Sequence, residues 1–138
     1  MVATLFTAKS KKISIYSDFK KNLEVSPLSG DITLNKDEES VKESIKNLIL
    51  TDRGERLMQP SLGGNIRAML FENITPSILT LIEDQVSTTI ETFEPRAELI
   101  DVVAQSNIDD NVVVVTVVFY ISNVQQPISV DVFLERTR

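Results

Sequence analysis

The sequence predicts an α+β fold: two to three helices followed by a three-stranded antiparallel meander packed on them. Two observations carry this reading. Up to residue 93 apolar residues recur at helical spacing in two long stripes, and from residue 97 onward they shift to strand-like runs separated by polar turns. The length of 138 residues suits one domain with a sizeable core. Helices grouped before strands, rather than alternating with them, point to helices covering one face of an antiparallel sheet.

The first thirty residues are short on periodicity and read as a loosely ordered arm that orders against a partner; residues 31–138 read as one α+β domain. Within the arm, Ile13-Ser14-Ile15-Tyr16 alternates briefly, and Val25 to Asp31 is rich in turn formers. Ile32-Thr33-Leu34 is a short extended piece. A first helix then begins with Asn35 as N-cap and Glu38 at capping-box spacing. Val41, Ile45, Leu48 and Ile49 form its stripe, and it ends near Thr51-Asp52-Arg53-Gly54, where Gly54 suits a left-handed cap. After a loop to Gly63-Gly64, a short helix turns Ile66, Met69 and Leu70 inward and closes at Phe71. Thr75-Pro76 is a helix start, since proline at the first helical position gives up an N–H that has no partner there anyway. Leu79, Ile82, Val86, Ile90 and Phe93 carry the second stripe to about Thr92. Pro95 then pushes Glu94 out of the helical region.

The last third is read as strands over Ala97–Ala104, Val112–Ile121 and Ile128–Leu134, with turns at Asn107–Asn111 and Ser122–Pro127. The third strand alternates apolar and polar residues, the pattern of a sheet with one wet face. The middle strand, VVVVTVVFYI, is apolar on both faces. Either the N-terminal segment or a partner's surface covers its second side.

Composition excludes several functions. The chain has no Cys and no His, which removes disulfides, thiolate and imidazole catalysis and the usual zinc sites. The run Val112–Ile121 is about half the length a membrane-spanning helix needs, and the N-terminus lacks the basic-then-apolar order of a signal peptide. The net charge is −6, and the acidity lies in residues 61–138, which hold eleven Asp/Glu against four Lys/Arg. That balance disfavours nucleic acid, whose binding depends on cations neutralising phosphates. The cluster Lys9, Lys11, Lys12, Lys20, Lys21 is read as a solvated arm or a protein contact. Catalysis would have to come from carboxylates alone, as in glycoside hydrolysis, with Asp52, Glu55, Glu72 and Glu94 as candidates near loops. With twenty acidic residues in the chain, some pair falls at a suitable distance by chance. Gly63-Gly64 lacks the spacing and lysine of a phosphate loop, and Asp109-Asp110-Asn111 lacks the ligand order of a calcium loop. No cofactor, metal or catalytic residue is assigned.

The stretch Thr92-Phe93-Glu94-Pro95-Arg96-Ala97 remains, where the second long helix gives way to the sheet. Arginine offers a planar fork of donors, and Pro95 limits the freedom of the backbone presenting it. Glu94, Pro95 and Arg96 are therefore a candidate partner-docking site. An internal Arg–Glu pair closing the corner is the competing reading.

The succession Ser44 to Thr51, Arg53-Gly54-Glu55-Arg56, Gly63-Gly64, Leu70-Phe71-Glu72-Asn73-Ile74-Thr75-Pro76 and Phe93-Glu94-Pro95-Arg96 resembles the lysozyme-like baseplate wedge family of contractile-tailed phages. These are the sheath-initiator proteins, and the type VI secretion baseplate wedge component belongs with them. The resemblance spans roughly residues 31–135 and is nearest the T4-like branch. It implies a structural, non-enzymatic virion protein of the tail baseplate, assembled in the host bacterial cytoplasm. Implied partners are other wedge proteins through their core helical bundle, the sheath protein and the tail tube, with no nucleic acid and no membrane. It further implies that Glu94-Pro95-Arg96 grips the bundle and that a sheet edge receives sheath strands, either the final strand with Ile128, Val130, Val132 and Leu134 or the edge formed by Ala97–Ala104. Two rival functions are a small anti-adaptor regulator on the same fold and a carboxylate-based peptidoglycan hydrolase.

Overall fold

A computed structural model of the chain describes residues 14–107, 112–122 and 124–135. The elements run in the order β1 (Ser17–Phe19), β2 (Leu34–Lys36), α1 (Glu38–Leu50), α2 (Ile66–Leu70), α3 (Pro76–Phe93), β3 (Ala97–Asn107), β4 (Val112–Ile121) and β5 (Val124–Glu135). The sheet β3-β4-β5 is an antiparallel meander, and β1 and β2 form a separate two-stranded antiparallel sheet. This is the expected α+β architecture, with the β1–β2 ribbon added to it. Lys9, Lys11 and Lys12 of the arm lysines, Ile13 of the alternating stretch, and most of the Asn107–Asn111 turn fall outside the described residues.

The core lies between the helices and one face of the sheet. Val41, Ile45 and Ile49 of α1 and Ile82, Val86 and Ile90 of α3 meet Val113, Val115, Val117 and Phe119 of β4, all buried. Period-2 alternation places Val102 and Ala104 of β3 and Ile128, Val132 and Leu134 of β5 on that same face. The second face of β4 is only half covered: Val112, Val114, Thr116 and Val118 are intermediate in burial, and Val103, Tyr120 and Phe133 around them are exposed. The described part of the N-terminal arm does not supply the missing cover, because β1 and β2 pack against α1.

Local expectations were met unevenly. Thr75 caps α3, its Oγ1 accepting from the Ile78 N–H at 3.4 Å with Pro76 beginning the helix. At α1 the cap position is Asp37 rather than Asn35, because Asn35 is taken up in β2 opposite Asp18. The Asp37 carboxylate does not cap its own helix either. Its Oδ1 accepts from the N–H groups of Ile15 and Tyr16 and so ties the arm to the start of α1. Helix α1 ends at an extended Thr51, and Gly54, with φ of 86°, serves the following turn instead, donating its N–H to the Pro60 carbonyl at 2.9 Å. The β4–β5 turn is shorter than expected, since Ile121 already pairs with Val124. Pro127 therefore lies inside β5, which an edge strand tolerates because an outward-facing N–H is not needed by the ladder.

The Gly63-Gly64 pair is a close approach of backbones. A Cβ at Gly63 would stand 2.3 Å from the Thr51 carbonyl oxygen, and φ there is 113°. Gly54 also has positive φ but faces open space. Gly63→Ala is expected to lower the unfolding free energy by on the order of 2 kcal/mol or more, against about 1 kcal/mol for Gly54→Ala. Urea denaturation of the two variants checks the order.

Candidate docking site

The corner after α3 is built by a turn that proline favours. The Glu94 N–H makes the last helical bond to Ile90, and the Ala97 N–H returns to the Glu94 carbonyl at 3.2 Å. Residues 94–97 thus form a β-turn with Pro95 at its second position, where a fixed φ near −65° is preset for the fold of the chain. The same turn brings the side chains at its first and third positions together. Arg96 Nε donates to Glu94 Oε1 at 2.6 Å and Nη2 donates to Oε2 at 2.8 Å, a two-pronged charge-assisted pair.

Two residues that sequence reasoning did not single out complete the corner. Ser44, on α1, donates its hydroxyl to Glu94 Oε2. Tyr16, from the arm, lies under the guanidinium with its ring centre 5.5 Å from Cζ, within cation–π range. The hint for Ser44 was its place beside Ile45 on the α1 stripe, where a polar residue needs a partner. For Tyr16 it was the brief alternation of the arm. Neither hint identifies the partner, because both contacts join segments far apart in the chain.

The two charged members of the corner differ in exposure. Glu94 is 3% exposed, whereas the Arg96 side chain keeps 28% of its surface open. Burial is the largest single influence on the Glu94 carboxyl and opposes its charge. The hydrogen bonds from Arg96 and Ser44, with the Arg96 charge, together outweigh it and hold the carboxyl below its ordinary range. The Glu94 hydrogen bond raises Arg96 further above its already high value, against the opposing effect of burial. Glu94 is thus a buried anchor for a cation that still reaches the surface. Its Nη1 makes no hydrogen bond among the described residues. The internal pair, the competing reading from sequence, is formed, and its cation keeps part of its surface open.

The remaining carboxylate candidates do not converge. Asp52 Oδ2 lies 3.8 Å from Arg67, Glu55 accepts from the Asp52 N–H at 3.0 Å, and Glu72 is exposed on the loop before α3. A general acid at neutral pH needs a raised pKa, and Glu94 is shifted the other way. Among the described residues no group of three or more His, Cys, Asp or Glu is placed to hold a metal, and no helix is long and apolar enough to cross a membrane.

The two edges of the main sheet are unlike. On β3 the Ala104 N–H donates to Glu83 Oε1 of α3 at 2.8 Å, and the Val102 N–H is met by Asp101 Oδ1 at 2.9 Å. Helix α3 packs along this strand, so that edge is occupied. Among the described residues, no comparable side chain meets the backbone of β5. Ile128, Val132 and Leu134 are buried at 5%, 0% and 3%, and Val130 is half-buried, so these side chains serve the core. What β5 offers outward is its backbone edge together with the exposed Ser129, Asp131 and Phe133.

Residues 35–126 match the family model described as baseplate wedge protein gp25. The chain is 27% identical over 105 residues to baseplate wedge protein gp25 of Enterobacteria phage T4, an alignment covering 76% of this chain and 79% of the phage protein. Its fold is similar to the crystal structure of a candidate tail lysozyme from Geobacter sulfurreducens, with a TM-score of 0.71, 27% identity and coverage of 78% and 97% of the two chains. A chain in the cryo-EM structure of the anti-feeding prophage baseplate matches at TM-score 0.60 with 27% identity, covering 86% of this chain and 83% of the other. A chain of the type VI secretion baseplate complex shares the fold at TM-score 0.56 and 15% identity, over 70% and 93% of the two chains. With two thirds of its length inside one family model, and with the helix-to-sheet corner and meander in place, this chain belongs to the baseplate wedge protein gp25 family.

Proposed function

We propose that the chain is a non-enzymatic component of a contractile-tail baseplate in the virion, assembled in the host bacterial cytoplasm, that joins two kinds of neighbour. At the corner, Arg96 reaches outward from its Glu94 anchor and engages the core helical bundle of the wedge. At the sheet, the outer edge of β5 accepts a strand of the sheath protein and so starts sheath assembly next to the tail tube. The observation that carries the first half is the exposure difference between buried Glu94 and partly open Arg96. A cation already oriented by two hydrogen bonds loses little freedom on docking. Support for the second half is the contrast between β3, whose edge is engaged by Glu83, and β5. Strand addition draws affinity from main-chain hydrogen bonds and needs an unoccupied edge.

The test is Arg96→Lys, which keeps a positive charge beside Glu94 but removes the fork. The variant is expected to stay folded, with a melting temperature within a few degrees of the parent, and to associate with the other wedge proteins at least tenfold more weakly. Association at the parental level would remove Arg96 from the docking role. Truncating residues 127–138 is a poor test of the sheet edge, because it deletes the buried Ile128, Val132 and Leu134 along with it.

A further inference from the structure

The loop between α1 and α2 carries two large apolar side chains where turns ordinarily carry polar ones. The Gln59 N–H returns to the Arg56 carbonyl at 3.2 Å, closing a β-turn with Leu57 and Met58 at its two central positions. Proline, glycine, asparagine, aspartate and serine dominate such positions, because each has a local way of making the turn. Leucine and methionine have none, and here they are 94% and 96% exposed. Hydrogen bonds hold this tip in place. The Gly54 N–H reaches the Pro60 carbonyl at 2.9 Å, the Leu62 N–H reaches the Gln59 carbonyl at 3.1 Å, and Arg53 Nε donates to the Gly63 carbonyl at 3.2 Å. Glu55 is likewise spent on the Asp52 N–H. Arg56, exposed beside the apolar pair, makes no hydrogen bond or ion pair through its side chain among the described residues. The base of the loop lies against the end of α3 that leads into Glu94-Pro95-Arg96. Arg53 and Ser61 face Thr88, Thr89, Thr92 and Phe93 across a cavity of about 240 Å³, and a Cβ at Gly64 would stand 3.1 Å from Thr89 Oγ1.

We propose that Leu57 and Met58 form an apolar plug that docks on the same helical partner as Arg96, in a groove between helices whose rim carries a carboxylate for Arg56. The inference rests on the corner-docking reading above and adds the apolar half which that reading lacks. A charged fork orients a complex and selects its partner more than it supplies affinity. Affinity comes from a few large side chains that pass from water into a well-packed pocket. Leu57 and Met58 have almost their whole surface to bury. Their turn is already fixed, so little backbone freedom is lost on docking, and the unbranched methionine adapts to the shape it meets. Packed helices present grooves between ridges of side chains, the natural complement of a projecting pair. The place of the loop selects the partner. Its base rests on α3, which packs along β3, two strands away from the β5 edge. The plug therefore shares its neighbour with Arg96 and not with the sheet edge.

The experiment uses the full-length chain with the purified wedge proteins that form the core bundle. The double variant Leu57→Ser/Met58→Ser, Arg56→Glu and Arg96→Lys are each assayed for binding, and a photo-crosslinking phenylalanine analogue replaces Met58 in otherwise parental protein. The expected result is a crosslink from position 58 to an apolar helical position of the bundle, with about tenfold or greater loss of affinity in the double variant and in Arg56→Glu. Both apolar side chains are almost fully exposed, so the double variant should melt near the parental temperature. Parental affinity in the double variant beside a weakened Arg96→Lys would overturn the plug while leaving corner docking standing. Parental affinity in both would overturn both. A weakened double variant beside an unaffected Arg96→Lys would uphold the plug and remove Arg96 from the interface. Parental affinity in Arg56→Glu would overturn the acidic rim. A crosslink to the sheath protein or to a second copy of this chain would overturn the assignment of the partner.

Discussion

Arg96→Ala is expected to destabilise the isolated protein by about 3–5 kcal/mol at neutral pH, the range for removing one partner of a buried ion pair. The asymmetry of the pair decides which partner matters more. Without Arg96, the Glu94 carboxylate, 3% exposed in the parent, keeps the Ser44 hydroxyl as its remaining side-chain donor in a largely apolar corner. Without Glu94, the Arg96 side chain, already 28% exposed, can turn to water. Glu94→Ala should therefore cost less than Arg96→Ala. The pH dependence supplies a second signature. In the parent the Glu94 pKa is depressed, so its stabilising contribution is full above the ordinary glutamate pKa of about 4.3 and is lost as pH falls through the lower folded value. In Arg96→Ala the burial penalty has lost its main counterweight, and the folded pKa rises above the unfolded one. The variant then sheds its penalty on acidification while the parent sheds its gain. The stability gap measured by urea denaturation should shrink markedly between pH 7 and pH 3. A gap that holds constant, or Glu94→Ala being the more damaging change, would contradict the anchoring role of the buried carboxylate. The same reasoning makes alanine the wrong substitution for probing wedge docking, since lost assembly could reflect a loosened corner.

How far the sequence discloses this arrangement depends on whether the information is local. Thr75-Pro76 specifies the start of α3 because cap and proline act within one helical turn. The stripe Ile82, Val86, Ile90 needs only helical periodicity to be read as buried. The α1 cap falls two residues beyond Asn35 because Asn35, a good cap by type, is claimed by pairing with Asp18 of β1, seventeen positions away. The Ser44–Glu94 hydrogen bond, spanning fifty residues, and the Glu83–Ala104 bond that occupies the β3 edge are tertiary facts with no local trace. Glu94-Pro95-Arg96 lies between these cases. Its turn is visible in the proline, but the direction of the fork depends on Tyr16 and Ser44, which arrive from other elements. For the same reason the sequence does not distinguish the two sheet edges, and it is the placement of α3 along β3 that makes them unlike.

Two phenylalanines on opposite faces of the sheet give the second large effect and its internal control. Phe119 of β4 is fully buried and sits opposite Ile128 of β5 on the helix-facing side. Phe119→Ala should cost about 3–5 kcal/mol, combining lost transfer energy with the cavity left behind. That is a large share of the 5–15 kcal/mol typical of a domain, and the melting temperature should fall by roughly 10–20 °C. Phe133 pairs with Val114 on the other face and is 62% exposed. Phe133→Ala should cost less than about 1 kcal/mol in the isolated chain. The contrast tests the half-covered second face directly. If removal of Phe133 from the free protein proves as damaging as removal of Phe119, that face is already buried within the chain and is not available to a neighbour. If the Phe133 variant is stable alone but loses stabilisation when tail partners are added, the apolar second side of β4 is a surface kept for assembly. The excess of valine in that strand would then reflect an environment that exists only in the particle.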